Sequence, residues 1–224
     1  MIISLKKQKK FNLSHLNPAQ REAVEHIYGP VLILAGAGTG KTRTVISRLA
    51  NMLKQGVSST SVLAVTFTNK AANEMRERIR GMVSKDSAKE MTVCTFHSLC
   101  VRILRKDIEK LGYKNNFTIY TSSDQVGLVR KLISRKSAKD ESLDHNLAIS
   151  LISRSKNKGV PVSDAKDSLI SEIERSYNKE LKHLNAVDFD DLLILAVQVL
   201  RENKDVINFW RERFKYITVD EFQD

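Results

Sequence analysis

Apolar and polar positions along the chain follow two rhythms. Four short runs are apolar at nearly every position: "VLILA" at 31–35, "SVLAVTF" at 61–67, "MTVCTF" at 91–96 and "YITVD" at 216–220. Runs of this length, rich in Val and Ile and without alternation, predict strands buried on both faces. Between them the spacing changes to the three-and-four rhythm of amphipathic helices. "NPAQREAVEHIY" opens with Asn before Pro, a helix start, and predicts a helix over about 18–28, broken at Gly29–Pro30. Further helices are predicted from Lys41 to about Leu53, over "NKAANEMRERIRGMV" at 69–83 and over "HSLCVRILRKDIEKL" at 97–111. Strand alternating with helix predicts a parallel, doubly wound α/β sheet.

The rhythm changes after Gly112. From 113 to 185 the chain is polar, with one weak strand, "FTIY", and helices predicted near 123–135, 147–156 and 164–184. It reads as a mostly α-helical insertion with its own small core. "DFDDLLILAVQVLREN" and "VINFWRERF" then restore strong helical patterning before "YITVD". The predicted organisation is a basic lead at 1–16, a discontinuous α/β domain at 17–112 and 186–224, and the insertion at 113–185.

Composition adds a polyanionic partner as a candidate. The chain has 224 residues, 42% hydrophobic, with 37 Lys and Arg against 26 Asp and Glu, a formal charge of +11. That surplus favours nucleic acid, with a basic protein lacking such a partner as the alternative. No apolar run reaches the length of a membrane span, and the start lacks a secretory pattern. Cys94 and Cys100 form no metal-binding spacing and read as free thiols of a reducing cytoplasm.

The chemistry is concentrated where strands end. "AGAGTGKT", comprising Ala35, Gly36, Ala37, Gly38, Thr39, Gly40, Lys41 and Thr42, lies between a predicted strand and a predicted helix. Glycines there let backbone N–H groups turn onto phosphate oxygens, and the helix N-terminus adds partial positive charge. Lys41 would reach the outer phosphates of ATP and Thr42 would hold Mg2+. Ala35 replaces the usual first glycine. Asp220 ends an apolar strand, as the Mg2+-holding acid of such sites does; Glu221 follows as the candidate general base and Gln223 as a γ-phosphate sensor. Gln20 offers an amide able to match the adenine edge, or a solvated helix residue. "VTFTNK" and "TFHSL" follow strands and so lie on the carboxyl edge, where such folds bind ligands. Phe67 and Phe96 read as base-stacking rings or as core; Thr66, Thr68, Asn69, Lys70, Thr95 and His97 read as phosphate contacts or, for the threonines, as caps.

Taken together, "LNPAQREAV", "LAGAGTGKTRT", "AVTFTNKAANEM", "TFHSL", "VDFDDLL" and "VDEFQD" occur in the order and near the spacing of one family. The chain resembles the N-terminal portion of the UvrD/Rep/PcrA family of superfamily 1 DNA helicases. The resemblance implies a RecA-like P-loop fold, ATP with Mg2+, and 3′–5′ translocation on single-stranded DNA, with single-strand/duplex junctions as substrates and repair or replication proteins as accessory partners. It implies Gln20 as the adenine reader, Arg43 near the nucleotide, Asp220 and Glu221 as metal acid and general base, and Gln223 as the link between γ-phosphate and DNA. Phe67, Asn69, Lys70, Thr95 and His97 match positions near DNA, and Asp188–Asp191 matches a mostly structural motif. In that family a further strand, between those of the phosphate loop and of Asp220, and a second motor domain follow "DEFQD". The latter supplies an arginine to the ATP site. The expectation is therefore a sheet with a gap or open edge and a chain without useful activity by itself. The alternatives are a non-enzymatic ATP- and single-strand-binding fragment or gene remnant and, more distantly, the helicase half of a helicase–nuclease.

Overall fold

The computed structural model describes residues 13–36, 38–136, 143–158 and 168–223. By packing, the chain divides into two units. The first runs to Phe96 and resumes at Phe209; the second is His97–Asn208.

The first unit is a parallel sheet flanked by helices. Strands β1 (Val62–Thr66), β2 (Thr92–Thr95) and β5 (Tyr216–Val219) lie in the order β2-β1-β5. Both pairings are parallel, with Val65 beside Cys94 and Val219, and Thr66 beside Thr95. Every residue of β1 and β2 is buried, as their unbroken apolar runs predict. Helices α1 (Pro18–Glu25), α2 (Lys41–Lys54), α3 (Asn69–Arg80) and the short α4 (Lys85–Glu90) complete the layers. Val45, Ile46, Leu49 and Met52 of α2 and Met75 and Ile79 of α3 pack with Val62, Ala64 and Val93 of the sheet into one core. Burial of this apolar surface is the main stabilising contribution, at roughly 25 cal/mol per Å2.

The segment 31–35 departs from expectation. It forms no strand, and Leu32 and Leu34 are 70% and 86% exposed. A strand needs a partner for its N–H and C=O groups, and among the described residues none pairs with this run. β5 likewise has no second neighbour among them, and Ile217 is exposed. An apolar run specifies a buried strand only when the neighbouring strand is present.

The second unit is helical. Helices α6 (Ser122–Lys136), α7 (His145–Lys158), α8 (Ser168–His183) and α9 (Phe189–Glu202) follow the bulk of α5 (Phe96–Asp107), and α10 (Lys204–Arg213) leads back to β5. Residues 164–167 of the predicted third helix lie outside the described residues. Leu128, Val129, Leu132, Ile152, Ile173, Tyr177 and Leu181 form a separate core. β3 (Thr118–Ile119) pairs in parallel with β4 (Ala186–Val187), which brings the two ends of the 113–185 stretch side by side. β4 is too short for periodicity to reveal.

Candidate nucleotide site

The site is assembled at the start of α2 and the end of β5. Asn17 caps α1: its Oδ1 accepts from the Gln20 N–H at 2.9 Å, while Gln20 Oε1 accepts from the Asn17 N–H at 3.1 Å. This reciprocal box fixes the Gln20 side chain, and its Nε2 then donates to the Thr39 carbonyl at 2.9 Å. Gln20 thus ties α1 to the phosphate loop. One amide hydrogen and one lone pair remain for a base edge.

The loop itself is held locally. The Gly36 carbonyl accepts from Thr39 Oγ1 at 2.8 Å and from the Thr39 N–H at 3.3 Å. Gly40 has φ +89°, and a Cβ there would stand 3.1 Å from Gln20 Nε2 and 3.2 Å from the Arg43 guanidinium. The left-handed backbone therefore favours glycine, and a side chain there would also require the ends of Gln20 and Arg43 to shift slightly. Ala37 lies outside the described residues; Gly36 and Gly38 flank it, and Ala35 precedes Gly36. Lys41 and Thr42 open α2, so Lys41 starts at the positive end of the helix dipole. A cleft of about 510 Å3 lined by Gln20, His26, Gly36, Thr39 and Lys41 adjoins the loop.

Lys41 Nζ lies 2.9 Å from Glu221 Oε2, across 180 residues of sequence. Glu221 also accepts from Gln223 Nε2. The Gln223 hydrogen bond, then that of Lys41, holds the Glu221 carboxyl below its ordinary range. Glu221 adopts φ +56°, a left-handed conformation that costs a non-glycine residue energy and clusters at functional sites.

Asp220 is different in kind. Its N–H donates to the Val65 carbonyl at 2.9 Å, continuing the β1–β5 ladder. Its side chain is buried, and Oδ1 has no hydrogen-bond partner among the described residues. Burial foremost, then the Glu221 charge, pushes its carboxyl above the ordinary range, with Lys41 opposing. A buried carboxylate oxygen without a donor is costly unless a cation or water completes it. The donor set, a carboxylate with the Thr42 hydroxyl and phosphate oxygens, suits Mg2+, a hard cation that prefers oxygen. The residues therefore fit the metal.

On the carboxyl edge, Phe67, Thr68, Asn69, Lys70 and Phe96 are exposed, Phe67 by 59%. Thr68 caps α3, accepting from the Ala71 N–H at 3.1 Å. The Thr66 and Thr95 side chains are buried, behind that edge. In the second unit, the His97 ring lies 5.2 Å from the ring of Phe189, which is exposed. Phe189 was not legible as a surface aromatic, because Asp188–Asp191 around it read only as a mostly structural motif.

In the same unit, Asp188 and Asp191 form a closed network. Lys156 Nζ lies 2.7 Å from Asp188 Oδ2 and 2.7 Å from Asp191 Oδ1. Tyr177 donates to Asp188 Oδ2 at 3.0 Å, and the two acids accept from one another's backbone N–H in a capping box.

The UvrD/REP helicase N-terminal domain model matches residues 16–224. The chain is 38% identical over 220 residues to the ATP-dependent DNA helicase PcrA of Staphylococcus aureus (strain Mu50 / ATCC 700699), covering 95% of this chain and 30% of that protein. It is 37% identical to the PcrA of Bacillus subtilis (strain 168), with the same coverage, and 40% identical over 217 residues to that of Leuconostoc citreum, covering 93% and 29%. The chain thus spans about 30% of the length of these relatives. It belongs to the UvrD/REP helicase N-terminal domain family.

Proposed function

We propose that this chain is the ATP–Mg2+-binding part of a DNA helicase that moves 3′ to 5′ on single-stranded DNA, acts at single-strand/duplex junctions and serves cytoplasmic DNA repair or replication. The observation that supports it best is the meeting of Lys41 with Glu221 beside the unpartnered Oδ1 of Asp220. Three groups suited to phosphate, water and metal converge from opposite ends of the sequence.

In this reading the backbone of Ala35–Thr42 cradles the phosphates, Gln20 and Arg43 flank the nucleotide, and Thr42 with Asp220 holds Mg2+. The metal's contribution is to neutralise charge developing on the phosphates. ATP changes the partner of Lys41: the ammonium moves from Glu221 to phosphate oxygens. Glu221 then keeps the Gln223 hydrogen bond but loses the Lys41 contribution to its acidity, which makes it more basic toward a proton of the attacking water. Gln223, now bound to Glu221, is positioned to report that change. Phe67 and Phe96 stack bases, and Thr68, Asn69, Lys70 and His97 contact phosphates, with Thr66 and Thr95 beside them. The charge of +11 makes this binding salt-sensitive.

The arginine that the family resemblance assigns to a second motor domain lies outside these 224 residues. Such arginines are worth roughly 10^3–10^5 in rate. The chain by itself is therefore expected to bind ATP without turning it over usefully or unwinding DNA. The test is nucleotide binding and ATP turnover, with and without single-stranded DNA, beside Lys41→Ala. Binding that needs Lys41, without turnover, is expected. DNA-stimulated turnover contradicts the half-site reading, and binding indifferent to Lys41 contradicts the site.

A further inference from the structure

Two residues at neighbouring positions of the first unit's sheet each carry a buried side-chain oxygen with no partner among the described residues. One oxygen is Asp220 Oδ1; the other is Thr66 Oγ1. Val65 is in register with Val219, and the Asp220 N–H continues the ladder onto the Val65 carbonyl. The same register carried one residue further sets Thr66 beside Asp220. Side chains at matching positions of parallel strands project from the same face. Thr66 is 1% exposed and Asp220 6%, so bulk solvent completes neither.

The two groups do not satisfy each other, although a hydroxyl and a carboxylate are natural partners. Buried polar groups are almost always hydrogen-bonded, to protein or to held water. Mg2+ at such sites keeps several of its waters. A hydroxyl beside the metal-side carboxylate is placed to accept from, or donate to, one of them.

We propose that Thr66 is a positioning residue of the Mg2+ site: with Asp220, its hydroxyl holds a water of the metal's shell. This rests on the ATP–Mg2+ reading above. It gives the Thr66 side chain a role other than direct contact with DNA, one its burial behind the Phe67 edge favours.

The test uses Thr66→Val, which keeps the shape and removes the hydroxyl, and Thr66→Ser, which keeps the hydroxyl. A fluorescent ADP analogue is titrated with Mg2+ and again with EDTA; Mn2+ binding in the presence of ADP is followed by electron paramagnetic resonance. Groups that orient metal ligands typically contribute 10–100-fold to metal affinity. Thr66→Val should lose about tenfold of the metal-dependent affinity, keep the EDTA affinity and melt no lower than the unchanged chain. Thr66→Ser should retain the metal effect. Should the Val variant not fold, Thr66→Ala set against Thr66→Ser makes the same comparison. Metal-dependent affinity that survives loss of the hydroxyl overturns the proposal, as does a variant that only melts lower. If nucleotide binding needs Lys41 but ignores Thr66, this inference alone fails. If the unchanged chain binds no nucleotide, the ATP reading fails and takes this inference with it.

Discussion

The molecule carries two carboxylate clusters, and they are built in opposite ways. Around Asp188 and Asp191 every carboxylate oxygen has a donor: Lys156 and Tyr177 on Asp188 Oδ2, Lys156 on Asp191 Oδ1, and a backbone N–H on each remaining oxygen. Around Asp220 and Glu221 the accounts stay open. Asp220 Oδ1 has no partner among the described residues, and Glu221, in a left-handed backbone, is held by a partly exposed lysine. A closed network resists change and fixes a helix start. An open one keeps the capacity to accept a cation or release a base. Both are acidic motifs in the sequence, so acidity by itself does not distinguish structure from chemistry. Satisfaction of each oxygen does.

The largest expected effect tests the closed cluster. Lys156 is 7% exposed, and removing one partner of a buried ion pair typically costs about 3–5 kcal/mol. Lys156→Met should lower stability by that order in urea melts at neutral pH. Burial already raises the Asp191 pKa, and Lys156 opposes that rise. Without Lys156 the pKa rises further. A carboxyl with a raised folded pKa opposes folding once ionised and is relieved as pH falls through that value. The variant's deficit should therefore shrink at acidic pH. A deficit that is equal at all pH values would assign Lys156 to packing alone.

A middle effect concerns the joint between α1 and the loop. Asn17→Ala removes a capping box and should cost about 1 kcal/mol in stability. Because Gln20 is held by that box while bonded to Thr39, nucleotide affinity should fall as well. Melting combined with nucleotide titration reads both; a stability loss with unchanged affinity would separate the cap from the loop.

The smallest effect sharpens the open cluster. The Lys41–Glu221 pair is partly exposed, and such pairs contribute little. Glu221→Gln frees Lys41 for phosphate, so nucleotide binding should strengthen by about threefold. Weakened binding in titration would mean that Glu221 supports the loop rather than competing for its lysine.

The sequence and the structure agree most where interactions are local. The start of α2 at Lys41, the N-cap at Asn17 and the buried strands β1 and β2 follow from neighbouring residues, and all were legible. Segment 31–35 was not: its apolar run specifies burial, but strand formation depends on a partner remote in sequence. The Lys156 network was invisible for a related reason. Lys156 lies 32 residues before Asp188, in a polar helix where one lysine resembles any other. Thr66 read as an edge contact because a strand-end threonine carries no mark of which way it is buried. Asp220 and Glu221 were recognisable as a pair, but the difference between them, one unpartnered and one ion-paired, needed coordinates.

One measurement tests the contrast directly. Asp220→Asn and Asp191→Asn make the same chemical change in the two clusters, each read by thermal melting and by Mg2+-dependent binding of a fluorescent ADP analogue. Asp220→Asn should abolish the Mg2+ dependence while melting at or above the temperature of the unchanged chain. Asp191→Asn should melt lower and keep the Mg2+ dependence. The reverse pattern, or a loss of both properties in both variants, would contradict the division into an open chemical cluster and a closed structural one.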